Sequence, residues 1–315
     1  VTASQFAFVF PGQGSQSLGM LGELAAQHPV VVDTFAEASE GAGTQLWALA
    51  QQGPEDRLNQ TEFTQPALLA AGVAVWRAWQ QQGGAQPAVV AGHSLGEYTA
   101  LVAAGVLSLG DAARLVRTRG QLMQAAAPAG TGAMAAVIGA DDALVLEVCE
   151  AASTDEVVVP ANFNSPGQIV IGGHAAAVDR AIALLGERGV RKVVKLAVSV
   201  PSHTPLMRDA ADRLGETMAN LQWRAPVLPV VQNVDAGVHD DGVAIRDALQ
   251  RQLYLPVQWT RCVEAIAARG VTTLVECGPG KVLTGLSKRI DRSLEARAIG
   301  TPDEFTAAID ALRAA

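Results

Sequence analysis

Cysteine is scarce. Cys149, Cys262 and Cys277 are the only three in 315 residues, odd in number, widely spaced and without a CxxC pair. That excludes a disulfide framework and a cysteine-built zinc site, and it fits a reducing compartment. Basic residues are also in deficit, 23 against 31 acidic, leaving a net charge of −8. Such a balance favours solubility and argues against a general affinity for nucleic acid or an anionic membrane. Any anionic partner needs a local basic patch. No apolar run reaches the ~18 residues of a membrane span, and the opening "VTASQFAFVF" lacks the basic start and long apolar core of a secretory signal. A cytoplasmic location is expected, with a monomer as the default state. Internal repeats, low-complexity tracts and coiled-coil heptads are missing too. Apolar residues are abundant at 49%, enough to bury a sizeable core in one large domain or one domain carrying a smaller insertion.

The chain begins with a short apolar run, Phe6 to Phe10, which stops at Pro11-Gly12 and reads as a buried strand entering a glycine turn. Helical periodicity follows through Leu21, Leu24 and Ala25. "PAVVAGHS" starts a second such unit: a strand over 88–91, a turn over 92–96, then the helix "EYTALVAAGVL". Strand, tight turn and helix repeated in this way predict a parallel α/β sheet covered on both faces. After the helix "DAARLVRTRGQLMQAAA", the break "PAGTG" marks a change of pattern. Strand "AMAAVIG", helix "DDALVLEVCEAA", strands "VVVPAN" and "GQIVIGG", helix "AAAVDRAIALLGERG" and strand "KVVKLAVS" then follow, in the βαββαβ order of a ferredoxin-like unit. The expectation is an α/β core from 1–130 and 199–315 with an inserted small subdomain at 131–198. Helix "PLMRDAADRLGETMANL", strand "VLPVVQN", helix "VQWTRCVEAIAARG" and strand "TTLVEC" continue the core.

Within this framework "AGHSLGEYTA" places Ser94 in Gly-x-Ser-x-Gly between a strand and a helix, the setting of a nucleophile elbow. Gly92 and Gly96 supply positions without a Cβ where the backbone doubles back, and the N–H of Leu95 can stabilise an oxyanion. A serine hydroxyl needs a base. His28, His174 and His239 read as solvated loop residues, and His93 as a shaper of the elbow pointing away from Ser94. His203 precedes Thr204-Pro205, a pattern for a helix start whose dipole would keep the imidazole neutral. The alternative is a histidine serving only the cap. No Asp or Glu announces itself as a third member.

Arg119 lies on the same side of its helix as Leu115, Val116, Leu122 and Met123, whereas Arg114 and Arg117 fall on the other. A buried guanidinium needs either an internal acid or an anionic substrate, and its fork suits a carboxylate. "FVFPGQGSQ" reaches Ser17 where a dinucleotide fingerprint needs its third glycine, and "GPGKVLTG" has Val282 where a phosphate loop needs Ser or Thr. What remains is a tight turn that could carry Gln13 and its N–H to a site at the strand ends. No cofactor and no metal are expected.

"FVFPGQGSQ", "TQPAL", "AGHSLGEY", "RTRGQLMQ", "GTGAMAAVIG", "NFNSPGQIVIGG", "SVPSH", "NVDA", "RQLYLPVQW" and "GPGKVLTGL" stand in one order along nearly the whole chain. Together they resemble the malonyl-CoA:acyl carrier protein transacylase family. The resemblance implies a hydrolase-like α/β core with a ferredoxin-like insert. It also implies Ser94 as acylated nucleophile, His203 as general base and then acid, and Arg119 gripping the malonyl carboxylate. The N–H groups of Gln13 and Leu95 would form the oxyanion hole, and the backbone carbonyl of Gln252 would orient His203. The implied partners are malonyl-CoA and holo-acyl carrier protein. Carrier proteins of this kind are acidic, so a basic docking face is expected at Lys288, Arg289 and Arg292, or at Arg191, Lys192 and Lys195. "VPSH" resembles the fatty-acid type of the family more than the polyketide-module types. A carrier-loading enzyme of polyketide synthesis, a serine esterase or thioesterase, and a non-catalytic binding module are the other readings.

Overall fold

The computed structural model describes residues 5–198 and 200–313. The stretch "VTAS" at 1–4, Ser199 of "SVPSH" and residues 314–315, all included in the expected domain bounds, lie outside them.

Two sheets organise the chain. The larger is wholly parallel, with β1 (Phe6–Phe10), β2 (Val89–Gly92), β7 (Val230–Val231), β8 (Thr273–Glu276) and β9 (Glu295–Ala298) in the order β7-β2-β1-β8-β9. Parallel strands need helices on both faces, which is why β1 is the unbroken apolar run FAFVF, buried at every position. Phe6 and Phe8 meet Trp79 of the helix Thr61–Gln81 on one face, while Ala7 and Val9 pack with Trp259 and Val263 on the other. Burying each such large apolar side chain contributes roughly 1.5–3 kcal/mol. The helix Thr61–Gln81 is buried almost all round. It therefore shows no amphipathic period, and its extent is not outlined by the sequence.

The second sheet is antiparallel, ordered β4-β5-β3-β6 from β3 (Gly132–Ile138), β4 (Val158–Ser165), β5 (Gln168–His174) and β6 (Lys192–Lys195). Helices Asp142–Ala152 and Ala175–Glu187 cover one face around Ala135, Val145, Ile171 and Val178. Its edge strand β4 is stitched to the larger unit, since Phe163 N–H donates to the Val257 carbonyl and Val257 N–H to that of Ala161, each at 2.9 Å. The other face borders a cleft.

Three local expectations are corrected. The strand over "KVVKLAVS" stops at Lys195, and Leu196 to Val198 line the cleft instead. The strand in "VLPVVQN" shrinks to Val230–Val231, because Gln232 and Asn233 turn their side chains into buried polar work beside β2. His28 and His174 are also more than solvated: the His28 ring stacks against Phe305 at 5.0 Å, and His174 Nδ1 accepts from Val157 N–H at 3.0 Å.

In register, Phe10 of β1 lies opposite Gly92 of β2. The first glycine turn and the Ser94 turn therefore leave the sheet side by side, at the carboxyl ends of central strands.

Candidate active site

Ser94 sits between β2 and the helix Leu95–Ala103 with φ 52° and ψ −109°. A non-glycine residue in such a conformation costs of order 1–3 kcal/mol and persists only where its surroundings fix it. Asn233 Oδ1 accepts from Ser94 N–H at 2.7 Å, and Gln252 Nε2 donates to the Ser94 carbonyl at 3.0 Å. The flanking glycines are compulsory. A Cβ on Gly92 would stand 1.9 Å from the Gly96 carbonyl carbon, and one on Gly96 would stand 2.1 Å from the Phe10 carbonyl oxygen. Leu95 opens the helix, so its N–H has no acceptor within it.

His203, only 2% exposed, meets Ser94 Oγ through Nε2 at 2.7 Å and the Gln252 carbonyl oxygen through Nδ1 at 2.6 Å. A carbonyl only accepts, so the proton sits on Nδ1 and Nε2 is left as the acceptor for the serine hydroxyl. Burial, then the positive charge of Arg119, lowers the imidazole pKa to about 3. These are different causes from the helix dipole expected. A 3-10 turn, Pro205–Met207, comes between His203 and the helix Arg208–Ala219, and Thr204 does not cap it, donating instead to the Pro201 carbonyl at 2.7 Å.

Arg119, 1% exposed, donates to Gln65 Oε1 at 2.8 Å, Gln252 Oε1 at 3.0 Å and Ser94 Oγ at 3.2 Å. Its Nε has no partner, and among the described residues no carboxylate forms an ion pair with it. A buried cation held only by neutral groups is poorly compensated. Its charge adjoins the nucleophile.

Ser94, Arg119 and His203 line a cleft of about 420 Å³ between the two sheets. Gln13 and Leu95 border it beside Ser94, Arg119 and His203, and Asn162, Asn164 and Val170 come from the small sheet. His93 does face the cleft, with Nε2 2.7 Å from Asn164 Oδ1; it ties the two units together. The structure thus gathers Ser94, His203, Arg119, Gln252, Gln13 and Leu95. Lys288 and Arg289 end the helix Val282–Ile290, whose Leu283 and Leu286 line the cleft, and Arg289 donates to Gln168 at 3.1 Å. Arg292 is exposed just beyond it, as are Arg191 and Lys192 at the start of β6. Lys195 is already paired with Asp179 at 2.7 Å.

Residues 7–301 match the acyl transferase domain family. The chain belongs to that family. Within it, the chain is 59% identical to the malonyl CoA-acyl carrier protein transacylase of Salmonella typhimurium over 306 residues, 97% of this chain and 99% of that protein. The crystal structure of the malonyl-CoA:acyl carrier protein transacylase of Xanthomonas oryzae pv. oryzae superposes with a TM-score of 0.98 at 73% identity, covering 99% of both chains. A third relative, a malonyl-transacylase in complex with its type II PKS acyl-carrier protein, superposes at 0.96 with 53% identity, covering 98% of this chain and 100% of that one. The parallel core and separate antiparallel sheet are those of an acyltransferase, and the chain is an acyltransferase enzyme.

Sequence reasoning passed over Glu97, Gln65 and Asn233. Glu97 is fully buried and accepts from Gln232 Nε2 at 3.0 Å, Asn233 N–H at 2.8 Å and Gln252 Nε2 at 3.3 Å. Burial raises its carboxyl pKa to about 7. Glu97 lies in the first turn of the helix Leu95–Ala103, where an acid is an ordinary helix-start residue, so the sequence does not set it apart. Gln65 and Asn233 are amides reaching from distant segments, and nothing local distinguishes them from solvated ones.

Proposed function

We propose that this acyltransferase moves a malonyl group from malonyl-CoA to the phosphopantetheine thiol of holo-acyl carrier protein, through an ester on Ser94. The observation that carries the reading is the buried guanidinium of Arg119, without an acid in contact and 3.2 Å from Ser94 Oγ. A carboxylate held by that fork places a three-carbon acyl group with its carbonyl at the serine.

Ser94 gives its proton to His203 Nε2 as Oγ attacks the thioester carbonyl. The oxyanion is received by the N–H groups of Gln13 and Leu95. Collapse expels the CoA thiol, which takes the proton from His203, and the carrier thiol reverses the sequence. The free carboxylate also acts on the base. Arg119 is one cause of the low His203 pKa, so an anion on the guanidinium raises the basicity of His203 when substrate is in place. Because Nδ1 faces a neutral carbonyl, the imidazolium is stabilised less than in a serine triad with an acid.

The small subdomain, 131–198, supplies the outer wall of the cleft and limits water, while the core at 1–130 and 199–315 carries the reacting groups. All of these belong to one chain, so a monomer suffices. The acidic carrier docks on Lys288 and Arg289, with Arg292, at the cleft mouth; the patch at Arg191, Lys192 and Lys195 is weaker because Lys195 is engaged by Asp179. Fatty acid synthesis is the pathway favoured by "VPSH". Supply to a polyketide carrier is the second reading, supported by the relative that is bound to such a partner. No helix among the described residues is long and apolar enough to cross a membrane, in keeping with an enzyme that meets carrier and CoA in the cytoplasm.

The test is a pulse of malonyl-CoA labelled in the acyl group, followed by holo-acyl carrier protein. Label should appear on the enzyme, move to the carrier, and be absent with Ser94→Ala. Hydrolysis without transfer would instead identify a thioesterase.

A further inference from the structure

Arg119 and Glu97 are both buried charges near the nucleophile, and they do not touch. The side-chain amide of Gln252 lies between them: its Oε1 accepts from Arg119 at 3.0 Å and its Nε2 donates to Glu97 Oε2 at 3.3 Å. Neither charge has a nearer partner of opposite sign among the ion pairs of the described residues. The guanidinium is therefore balanced at one remove, and its fork, which borders the cleft, is engaged only by the neutral groups of Gln65, Gln252 and Ser94. A direct Glu97–Arg119 pair would occupy the fork. With no acid nearby, Arg119 would hold a substrate carboxylate with its full charge, which disfavours passing the acyl group on.

We propose that Glu97 is a positioning residue acting through Arg119: its carboxylate, one amide away, offsets the guanidinium charge and so weakens its grip on the substrate carboxylate. The inference rests on the carboxylate-binding role of Arg119 given above. It assigns Glu97 no contact with substrate.

The site can tolerate loss of this charge. Gln232 Oε1 has no partner, so a glutamine at 97 can keep its oxygen toward Asn233 and Gln252 while its NH2 faces a turned Gln232 amide, which gives up its 3.3 Å bond to the Ile245 carbonyl. Burial already raises the Glu97 pKa to about 7, which allows the charge to be removed by protonation as well. The charged and titratable groups around it are Arg119, Tyr98, Cys262, Asp235 with its partners His239 and Arg251, and His203 and His93 beyond Gln252 and Ser94. Burial pushes the Tyr98 phenol to about 12 and the Cys262 thiol well up, and holds His203 at about 3. Those three keep their charge state between pH 6 and 8. His239 and His93 are left unchanged by Glu97→Gln, so the variant separates their contribution from that of Glu97.

The experiment measures dissociation constants of malonyl-CoA and acetyl-CoA on the full chain carrying Ser94→Ala, with and without Glu97→Gln. The ratio of the two constants isolates the carboxylate and cancels titration of the CoA phosphates. At pH 8, Glu97→Gln should raise the preference for malonyl-CoA at least three-fold. With Glu97 present, the preference should rise as pH falls from 8 to 6, and with Gln the rise should be smaller. A damaged site would lose preference, so tighter binding is a readout that a structural role does not produce. An unchanged or lowered preference at pH 8 overturns the inference. If Glu97→Gln does not fold, a pH-independent preference in the Glu97 protein overturns it equally. No preference for malonyl-CoA at any pH removes the role of Arg119 and this inference together, whereas a strong preference indifferent to Glu97 removes this inference alone.

Discussion

The backbone carbonyl oxygen of Gln252 lies 2.6 Å from His203 Nδ1. A neutral acceptor fixes the tautomer as a carboxylate would, without adding charge to raise the basicity of the ring. Burial, then Arg119, lowers the pKa of the base to about 3, and the hydrogen bond to the Gln252 carbonyl offsets only part of that fall. The sign follows. His203 is neutral at every pH above about 4, so its capacity to accept the serine proton is not lost at the ordinary histidine pKa. Inactivation of Ser94 by a neutral sulfonyl fluoride should show no ten-fold-per-unit decline between pH 6.5 and 5. A decline with a midpoint near 6.5 would show that His203 titrates normally. The same shift acts on stability: the contribution of His203 is full above pH 6.5 and is lost as pH falls toward 3, whereas that of Glu97, raised to about 7, is present below its ordinary value and lost as pH rises toward 7.

Arg119→Ala removes two charge-assisted hydrogen bonds to the proposed malonyl carboxylate, each worth about 1.5–3 kcal/mol. Acylation of Ser94 by malonyl-CoA should fall by roughly 10²-fold or more, at about 1.4 kcal/mol per factor of ten. Acetyl-CoA lacks the carboxylate, and its rate should hold or rise. Arg119→Lys should recover only part of the malonyl rate, because a point charge cannot reproduce the fork. Single-turnover release of CoA from both thioesters measures the difference. Equal losses would mean that Arg119 serves the elbow alone.

Gly92→Ala should prevent accumulation of folded protein. The new methyl would stand 1.9 Å from the Gly96 carbonyl carbon, and the atoms in its way are backbone, which cannot step aside as a side chain end can. Gly96→Ala meets the Phe10 carbonyl at 2.1 Å and should behave alike. Gly110→Ala, where a Cβ meets nothing within 4 Å, is the control. Soluble yield and melting temperature decide the matter, and a folded Gly92→Ala with a normal Tm would mean that the elbow tolerates a different backbone path.

The elbow was legible because its constraints are local: two glycines, a strand before and a helix after, all within ten residues. Arg119 was legible for a similar reason, since one cation in an apolar stripe needs only helical periodicity to be noticed. The order of elements in the antiparallel sheet could be read from alternation and turn residues. The segment 61–81 could not, because the helix Thr61–Gln81 is buried on nearly every side and presents no period, whereas the helix Val30–Ala42, which buries Val31, Thr34, Phe35, Ala38 and Ala42, carried a period that went unread. The amides of Gln65 and Asn233 were unreadable because their partners, Arg119 and Ser94, lie 54 and 139 residues away in sequence. Gln252 was reached only through the family resemblance. The short extent of β7 has the same origin: the residues after it follow the polar requirements of a distant turn.

Charge reversal at Lys288 and Arg289 tests the docking face. These residues end a helix whose apolar side lines the cleft, and Arg289 reaches across to Gln168 of the small sheet, so an acidic partner seated there spans both units. Steering by such a patch acts mainly on association and is screened over about 8–10 Å at ordinary salt. Lys288→Glu combined with Arg289→Glu should therefore lower kcat/KM for holo-acyl carrier protein by roughly ten-fold at low ionic strength. It should also flatten the salt dependence, and acylation by malonyl-CoA should be affected less. Arg191→Glu with Lys192→Glu should have a smaller effect, since those residues flank a lysine already neutralised by Asp179. Stopped transfer reactions at two salt concentrations distinguish the patches. Unaltered carrier kinetics in both double variants would place the docking face elsewhere on the cleft rim.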